Sequence, residues 1–175
     1  MSGYKCKVKL SYPKPKVECQ NVEYGNILLQ DYAGAVSELT AINLYVYQHI
    51  ISEKKFKDYS KLIMGISIIE MKHLELLGET IKLLGVKPIF ISSFAPNGQL
   101  WTADYVNFSD YLLEMLIADM ESEKNAIENY EDHACLIKDE HVRKLLYRII
   151  LDEKLHLKLF HEMYEKYKRK FDEEY

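Results

Sequence analysis

Four stretches of the chain carry apolar residues at steps of three and four, the spacing that gives an α-helix one buried face. The first predicted helix covers residues 26–52, and the second covers residues 58–84, after which Gly85 supplies a stop. The third is predicted to begin with Ser109 as its N-cap, and the fourth follows a break near residues 138–139. No stretch alternates apolar and polar residues as a strand does, so the pattern predicts an all-α four-helix bundle.

The connections between these helices differ greatly in length. The first and second helices, and the third and fourth, are joined by a few residues, which makes each pair an antiparallel hairpin. Residues 85–108 separate the two hairpins. An extended segment of this length reaches roughly 80 Å, about twice the length of one of these helices, and therefore predicts a crossover along the whole bundle. The alternative is a functional or disordered loop, but apolar residues such as Phe90 and Trp101 argue against disorder.

Carboxylates interrupt the apolar faces of all four predicted helices, where a charge is costly unless it is paired or bound to a metal. Two of these glutamates are followed three residues later by histidine, as Glu70-Met-Lys-His73 and Glu153-Lys-Leu-His156. This spacing places carboxylate and imidazole side by side on one helical face, as a shared metal ion requires. The two pairs alone are close to chance expectation for a chain with six histidines.

An internal repeat gives stronger support for a metal site. The stretch from Glu38 to Tyr45 matches the stretch from Glu123 to Tyr130 at Glu, Ala, Ile and Tyr. In each half a Glu-x-x-His pair follows after about 30 residues. Two copies of one hairpin would place two glutamates and two Glu-x-x-His pairs opposite each other, which is the ligand set of a carboxylate-bridged two-metal bundle. The predicted metal ligands are Glu38, Glu70, His73, Glu123, Glu153 and His156.

Charge and helical position refine this set. Four carboxylates balance two divalent ions, whereas without metal some of these carboxyls would have to hold protons.

Glu121 is the competing candidate on the third helix, but it lies about 200° round the helix from Glu123 on a charged face. We therefore expect Glu123 to be the ligand and Glu121 to face water.

These motifs resemble those of ferritin-like di-iron proteins, in particular the rubrerythrin and bacterioferritin branch, over about residues 26–170. The resemblance implies a ferritin-like four-helix bundle over residues 26–175, preceded by an N-terminal extension of residues 1–25. It also implies that Glu38 and His73 bind one metal. Glu123 and His156 would bind the other, and Glu70 and Glu153 would bridge the two.

The chain departs from this branch in several places. Ala126 stands where rubrerythrins carry an extra carboxylate, and the cysteines of a rubredoxin module are absent. Met71 occupies the haem-binding position of bacterioferritins, but packing at a helix interface is a competing interpretation, and haem is not expected. Asp152 is positioned to orient a ligand histidine from behind, yet its counterpart in the second helix is Ile69, so the two metals are expected to be unequally supported.

The resemblance implies a di-iron oxidoreductase that reacts with hydrogen peroxide or O₂, as a rubrerythrin-like peroxidase or ferroxidase acting against oxidative stress. Its cofactor would be two iron ions, with manganese as the alternative. Glu70, Glu153, Tyr45 and Tyr130 are the expected catalytic residues, and the tyrosines are expected to hydrogen-bond metal ligands rather than to exchange electrons. Manganese catalases share this ligand arrangement. Non-catalytic iron storage and a bundle that binds no metal are further alternatives.

Composition bears on partners and location. A net charge of −4 gives no reason to expect nucleic acid, and no apolar run is long enough to span a membrane. Three widely spaced cysteines favour a reducing cytoplasm over a disulfide framework. We expect peroxide or O₂ as substrate, an unidentified electron donor, and a homo-oligomer, with a dimer favoured. The four remaining histidines are predicted to lie at the surface or rim: His49, His133, His141 and His161.

Overall fold

The computed structural model describes residues 4–92 and 98–173, which form an all-α bundle. The helices are α1 Val22–Ala33, α2 Glu38–Ser52, α3 Lys57–Leu83, α4 Leu112–Leu136 and α5 Glu140–Glu173. The connection between α3 and α4 contains two short antiparallel strands and a 3₁₀ turn: β1 Ile91–Ser92, β2 Gln99–Leu100 and Ala103–Tyr105. Because α1 and α2 together take the place of one long helix, the predicted four-helix bundle is confirmed.

The first predicted helix is not continuous, and its prediction over residues 26–52 was wrong in this respect. Helix α1 ends at Ala33, Gly34 is extended, and α2 starts anew with Ser37 as its N-cap. A side chain at Gly34 would lie 2.6 Å from the carbonyl oxygen of Gln30, so the chain approaches itself too closely here for any other residue. The apolar spacing continues across this break, which is why periodicity alone missed it.

The Ser37 cap fixes the start of α2 and with it the position of Glu38. Its hydroxyl accepts a hydrogen bond from the Thr40 N–H at 3.2 Å and donates to the Gly34 carbonyl at 2.7 Å. We expect Ser37→Ala to lower the free energy of unfolding by about 1 kcal/mol, because it leaves the Thr40 N–H without its acceptor. Urea unfolding measures this change. Ser37→Thr, which keeps the hydroxyl, is the matched control, and equal losses in both variants would contradict the capping role.

The third predicted helix also has a revised start, whereas the start of the fourth agrees with the prediction. Helix α4 begins at Leu112 and not at Ser109, because the Ser109 hydroxyl accepts from the Tyr111 N–H at 3.3 Å and donates to Glu114 at 2.7 Å, within a turn that precedes the helix. The predicted break before the fourth helix is present. Asp139 caps α5 by accepting from the N–H of His141 at 2.9 Å.

The connection between α3 and α4 crosses the bundle lengthwise, as predicted. Along this segment, the Phe90 ring packs 5.6 Å from that of Tyr32, and the Trp101 indole donates to Thr40 at 2.9 Å. Farther on, the carbonyl of Phe108 accepts from the Tyr47 hydroxyl at 3.0 Å. The crossover therefore follows α1 and α2 from one end of the bundle toward the other, so α4 starts at the same end as α3.

Two apolar clusters fill the bundle, and a polar layer separates them. On α3, Ile66 belongs to one cluster and Leu76 to the other; on α5, the corresponding residues are Phe160 and Ile150. The buried glutamates and histidines lie between these positions in the sequence, at mid-bundle. Within the described parts of the chain, no helix combines the length and apolarity needed to cross a membrane.

Candidate metal centre

The six predicted ligands meet in this polar layer. Glu38 comes from the first turn of α2 and Glu123 from the middle of α4. The two Glu-x-x-His pairs face each other from α3 and α5. All six side chains are buried, with at most 4% of any residue exposed. The packing of the two hairpins thus concentrates four carboxyl groups and two imidazoles inside an apolar core.

Glu70 and Glu153 each place one carboxylate oxygen near His73 and the other oxygen near His156. The Nδ1 atom of His73 lies 2.8 Å from Glu70 Oε2 and 2.9 Å from Glu153 Oε1. The Nδ1 atom of His156 lies 2.8 Å from Glu70 Oε1 and 3.4 Å from Glu153 Oε2. A carboxylate that presents its two oxygens to two different partners has the arrangement needed to bridge a pair of metal ions.

The remaining glutamates complete two separate donor groups. Glu38 Oε2 lies 3.6 Å from Nδ1 of His73, and Glu123 Oε2 lies 3.6 Å from Nδ1 of His156. Two sets of four ligand atoms, each set within 4.8 Å, share the two central glutamates: Glu38, Glu70, His73 and Glu153; and Glu70, Glu123, Glu153 and His156. The division into two sets agrees with the one implied by the family resemblance.

Several donor atoms in this layer are buried without a hydrogen bond. Among the described residues, Glu70 Oε1, Glu153 Oε1 and His156 Nδ1 make close contacts with facing donor atoms, but none of these contacts has the geometry of a hydrogen bond. Such atoms are costly in a protein interior, and carboxylate oxygen with imidazole nitrogen suits iron and manganese. The residues present therefore fit a pair of transition-metal ions.

The repeated tyrosines hold the glutamates of the opposite half. The Tyr45 hydroxyl donates to Glu123 Oε1 at 2.5 Å, and the Tyr130 hydroxyl donates to Glu38. Burial raises the pKa of both phenols well above the usual value, so they keep their protons and act as donors. The expected hydrogen bonds are present, whereas a catalytic role for these tyrosines remains a prediction.

Without metal, the surroundings of Glu38 and Glu123 favour the protonated form of each carboxyl. Burial raises the pKa of both carboxyls well above the usual value, and the negative charges of Glu70 and Glu153 add to the shift. This agrees with the expectation that some of the four carboxyls hold protons when no metal balances their charge.

The histidines are held in the charged form by the same neighbours. Burial lowers the pKa of His73 and His156, but the facing carboxylates outweigh it and hold both well above the usual value. Burial conversely raises the pKa of Glu70 and Glu153, yet the imidazoles hold both carboxylates below their usual range. In the metal-free site, these shifts favour charged imidazoles that face ionised Glu70 and Glu153.

Metal binding must displace these protons. We expect loading with two divalent ions to release about four protons near neutral pH, one from each of Glu38, Glu123, His73 and His156. Affinity therefore rises with pH. Calorimetry in two buffers of different ionisation enthalpy counts the released protons. Release of fewer than about one proton per ion would show that these groups are not displaced.

Outer partners hold both imidazoles from behind. Asp152, on α5, places Oδ2 3.3 Å from Nε2 of His73 on α3. The Cys6 carbonyl oxygen lies 2.7 Å from Nε2 of His156. The Tyr12 hydroxyl donates to Asp152 at 2.6 Å. Sequence reasoning identified Asp152 but missed Cys6, because a backbone carbonyl has no sequence signature, and Tyr12, because it lies outside the predicted helices.

Other predicted positions have mixed outcomes. Glu121 is exposed, as expected from its helical face. Met71 lies on the outer side of α3 with 42% exposure, so it is not packed within the bundle. The prediction for His133 was wrong: it is 5% exposed, and its Nδ1 lies 2.8 Å from the buried Asp31, because α1 packs against α4 through this pair.

A narrow pocket reaches the site, and its described lining includes the glutamates but neither His73 nor His156. All four predicted ligand glutamates contribute to its wall, together with Ala126 and both repeated tyrosines. Its volume is about 10 Å³, close to what one water-sized molecule requires. The pocket therefore admits only a very small molecule to the carboxylate side of the site.

Comparison with known proteins supports this description. The sequence model of the ferritin-like domain family matches residues 35–170. A probable manganese catalase from Clostridium acetobutylicum is 29% identical over 87% of this chain and 75% of its own length. Among solved structures, a manganese catalase from Anabaena PCC7120 has a TM-score of 0.82 at 23% identity, covering 96% of this chain and 81% of that one. The bacterioferritin of Desulfovibrio desulfuricans, described with a diiron site, has a TM-score of 0.71 at 24% identity, covering 84% of this chain and 81% of that one.

Proposed function

The chain belongs to the ferritin-like domain family, and we propose that it is a di-metal oxidoreductase that consumes hydrogen peroxide. The observation that carries this proposal is the arrangement of Glu70 and Glu153. In this buried site, each of the two places one carboxylate oxygen near His73 and the other near His156. Two redox-active ions bound there would supply and take up the electrons of peroxide chemistry. The protein supplies the ligands, the enclosed pocket and the proton-bearing groups.

The pocket supports a small peroxide as the substrate. Its volume of about 10 Å³ has room for about one water-sized molecule, and hydrogen peroxide is among the smallest substrates of an oxidoreductase. Ala126 lines it where rubrerythrins carry a carboxylate, so this position adds no further carboxylate to the wall. Glu38 and Glu123, also on the wall, are held in place by the phenols of Tyr130 and Tyr45. A molecule that enters therefore meets oriented carboxylates and protonated phenols.

Disproportionation by two manganese ions is the finer assignment that we propose. It is supported by the similarity to a probable manganese catalase over most of the chain. In this reaction two molecules of hydrogen peroxide yield two of water and one of O₂, and no external electron donor is needed. The buried site and narrow pocket favour such a self-contained reaction.

A di-iron peroxidase or ferroxidase is the second candidate. The resemblance of the Glu-x-x-His motifs to those of rubrerythrins favours it, and it requires an electron donor for peroxide reduction. Iron storage, the non-catalytic alternative, requires a large hollow assembly. The dimer expected from the sequence remains a prediction, and measurement of the mass in solution tests both.

The test is to load the metal-free protein separately with Mn²⁺ and Fe²⁺ and to follow peroxide and O₂ together. We expect the manganese form to release one O₂ for every two peroxide molecules without a reductant. Peroxide loss only in the iron form, and only with an added reductant, would favour the second candidate. If neither loaded form consumes peroxide faster than the metal-free control, the proposed function is wrong.

A further inference from the structure

An N-terminal segment, residues 4–20, packs along the bundle on the side of the histidines; we call it the N-terminal strap. It brings backbone and side-chain groups behind both imidazoles, although Tyr12 is 61 positions from His73 in sequence and Cys6 is 150 positions from His156. The Cys6 carbonyl accepts from Nε2 of His156 at 2.7 Å. The Tyr12 hydroxyl lies 3.3 Å from Nε2 of His73 and donates to Asp152, which also accepts from this imidazole.

Buried contacts tie the strap to α5. The Arg148 guanidinium, only 3% exposed, donates to the Leu10 carbonyl through Nε at 2.9 Å and through Nη2 at 2.7 Å. It also lies 4.3 Å from the centre of the Tyr12 ring and pairs with Asp152 at 2.9 Å. The Val8 N–H donates to the other oxygen of Asp152 at 2.8 Å. This many charge-assisted contacts fix the strap in one register.

The strap compensates for a gap in the internal repeat. Asp152 precedes Glu153 on α5, and its carboxylate contacts the His73 imidazole across the bundle. By the symmetry of the repeat, the residue before Glu70 should accept a hydrogen bond from His156. That residue is Ile69, whose side chain has no acceptor. The Cys6 carbonyl provides the missing acceptor. One imidazole therefore donates to a carboxylate and the other to a neutral carbonyl.

We propose that the N-terminal strap is a working part of the metal centre, which fixes Nε2 as the proton-bearing nitrogen of both histidines and makes the two metal positions unequal. This inference rests on the proposed function, since it assumes that the site binds metal. With Nε2 committed to a hydrogen bond, Nδ1 of each ring faces the carboxylates and is the metal-binding atom. A carboxylate partner makes an imidazole a stronger ligand than a carbonyl does, so the position at His73 binds its ion more tightly.

Displacing the strap at Cys6 tests its role at His156. A methyl group at Gly65, on α3, would lie 2.9 Å from the Cys6 sulfur, so Gly65→Ala requires movement of the Cys6 side chain or of the strap that carries it. We expect the weaker of the two metal affinities to fall about tenfold. Helix stability should not fall, because alanine is the better helix former. The double variant Cys6→Ala/Gly65→Ala removes the sulfur that the methyl meets, keeps the carbonyl, and should restore the affinity.

Replacing the groups behind His73 tests the other position. Asp152→Asn and Tyr12→Phe should lower the tighter affinity by about 10–100-fold and about tenfold respectively. The matched control is Tyr147→Phe, which makes the same change at an exposed tyrosine on α5, the helix that carries Asp152. Titration of the metal-free proteins with Co²⁺ against a competing chelator gives the two affinities, and the visible spectrum of bound Co²⁺ reports each position.

The outcomes separate this inference from the proposed function. Two unequal affinities in the wild type, each lowered by its own variants and one restored by the double variant, would support the strap's role. Two equal affinities, or variants that bind both ions as the wild type does, would overturn the inference and leave the proposed function standing. A folded wild-type protein that binds no Co²⁺, Mn²⁺ or Fe²⁺ would overturn both.

Discussion

Glu70→Gln is expected to abolish the binding of both metal ions, and Glu123→Gln to abolish the binding of one. Glu70 belongs to both donor groups, whereas Glu123 belongs only to the group that contains His156. An amide is a poorer ligand and cannot balance the charge of the ions. Peroxide consumption should therefore fall by more than the roughly 10–100-fold that loss of an outer hydrogen-bond partner costs. Metal analysis of the reconstituted variants measures the first effect, and the peroxide assay measures the second.

Glu121→Gln is the matched control for these variants. It makes the same chemical change two residues from Glu123 at an exposed position, so metal content and activity should not change. The metal-free Glu123→Gln protein should also remain folded and gain stability at alkaline pH, because an amide carries no charge to bury. Retention of two ions per chain by Glu70→Gln would show that the metals bind elsewhere.

The metal-free protein is expected to lose stability as the pH rises above the usual pKa values of its buried groups. Glu38, Glu123, His73 and His156 have pKa values raised by folding, so the folded state holds more protons than the unfolded state. Stability that depends on such protons is lost as the pH rises, by about 1.4 kcal/mol per pH unit for each proton retained. The loss begins above pH 4.5 for the carboxyls and above pH 6.5 for the imidazoles.

Bound metal should reverse this trend. The ions replace the four protons, so their affinity increases with pH, and an excess of about a thousandfold over Kd adds about 4 kcal/mol to the free energy of unfolding. Urea unfolding between about pH 6 and about pH 8, with Mn²⁺ or with a chelator, measures both effects. Equal stability of the metal-free protein at both ends of this range would contradict the protonation scheme.

The local pattern of the sequence was enough to predict which glutamates and histidines come together at mid-bundle. The helical period put Glu123 on the buried face and Glu121 in solvent, as the structure confirms. The repeat predicted which halves would face each other, and the length of the 85–108 segment predicted the crossover. Each of these inferences depends on spacing within one helix or on chain length, which a sequence shows directly.

Contacts between distant parts of the chain were not predictable in this way. The break at Gly34 depends on a close approach to the Gln30 carbonyl, and the burial of His133 depends on Asp31 from another helix. The Cys6 carbonyl is invisible in sequence. One signal was available: Arg148 stands among the apolar residues of α5, where a buried cation requires partners such as the strap carbonyls.

The most direct test of the metal centre is anomalous X-ray diffraction from crystals loaded with manganese or iron, measured at the absorption edge of that metal. We predict two peaks per chain, with the Glu70 and Glu153 carboxylates between them. One peak should lie beside Nδ1 of His73 and the other beside Nδ1 of His156. A single peak, or peaks only at surface carboxylates in a folded and loaded protein, would contradict the assignment of these six residues as the ligands of a di-metal centre.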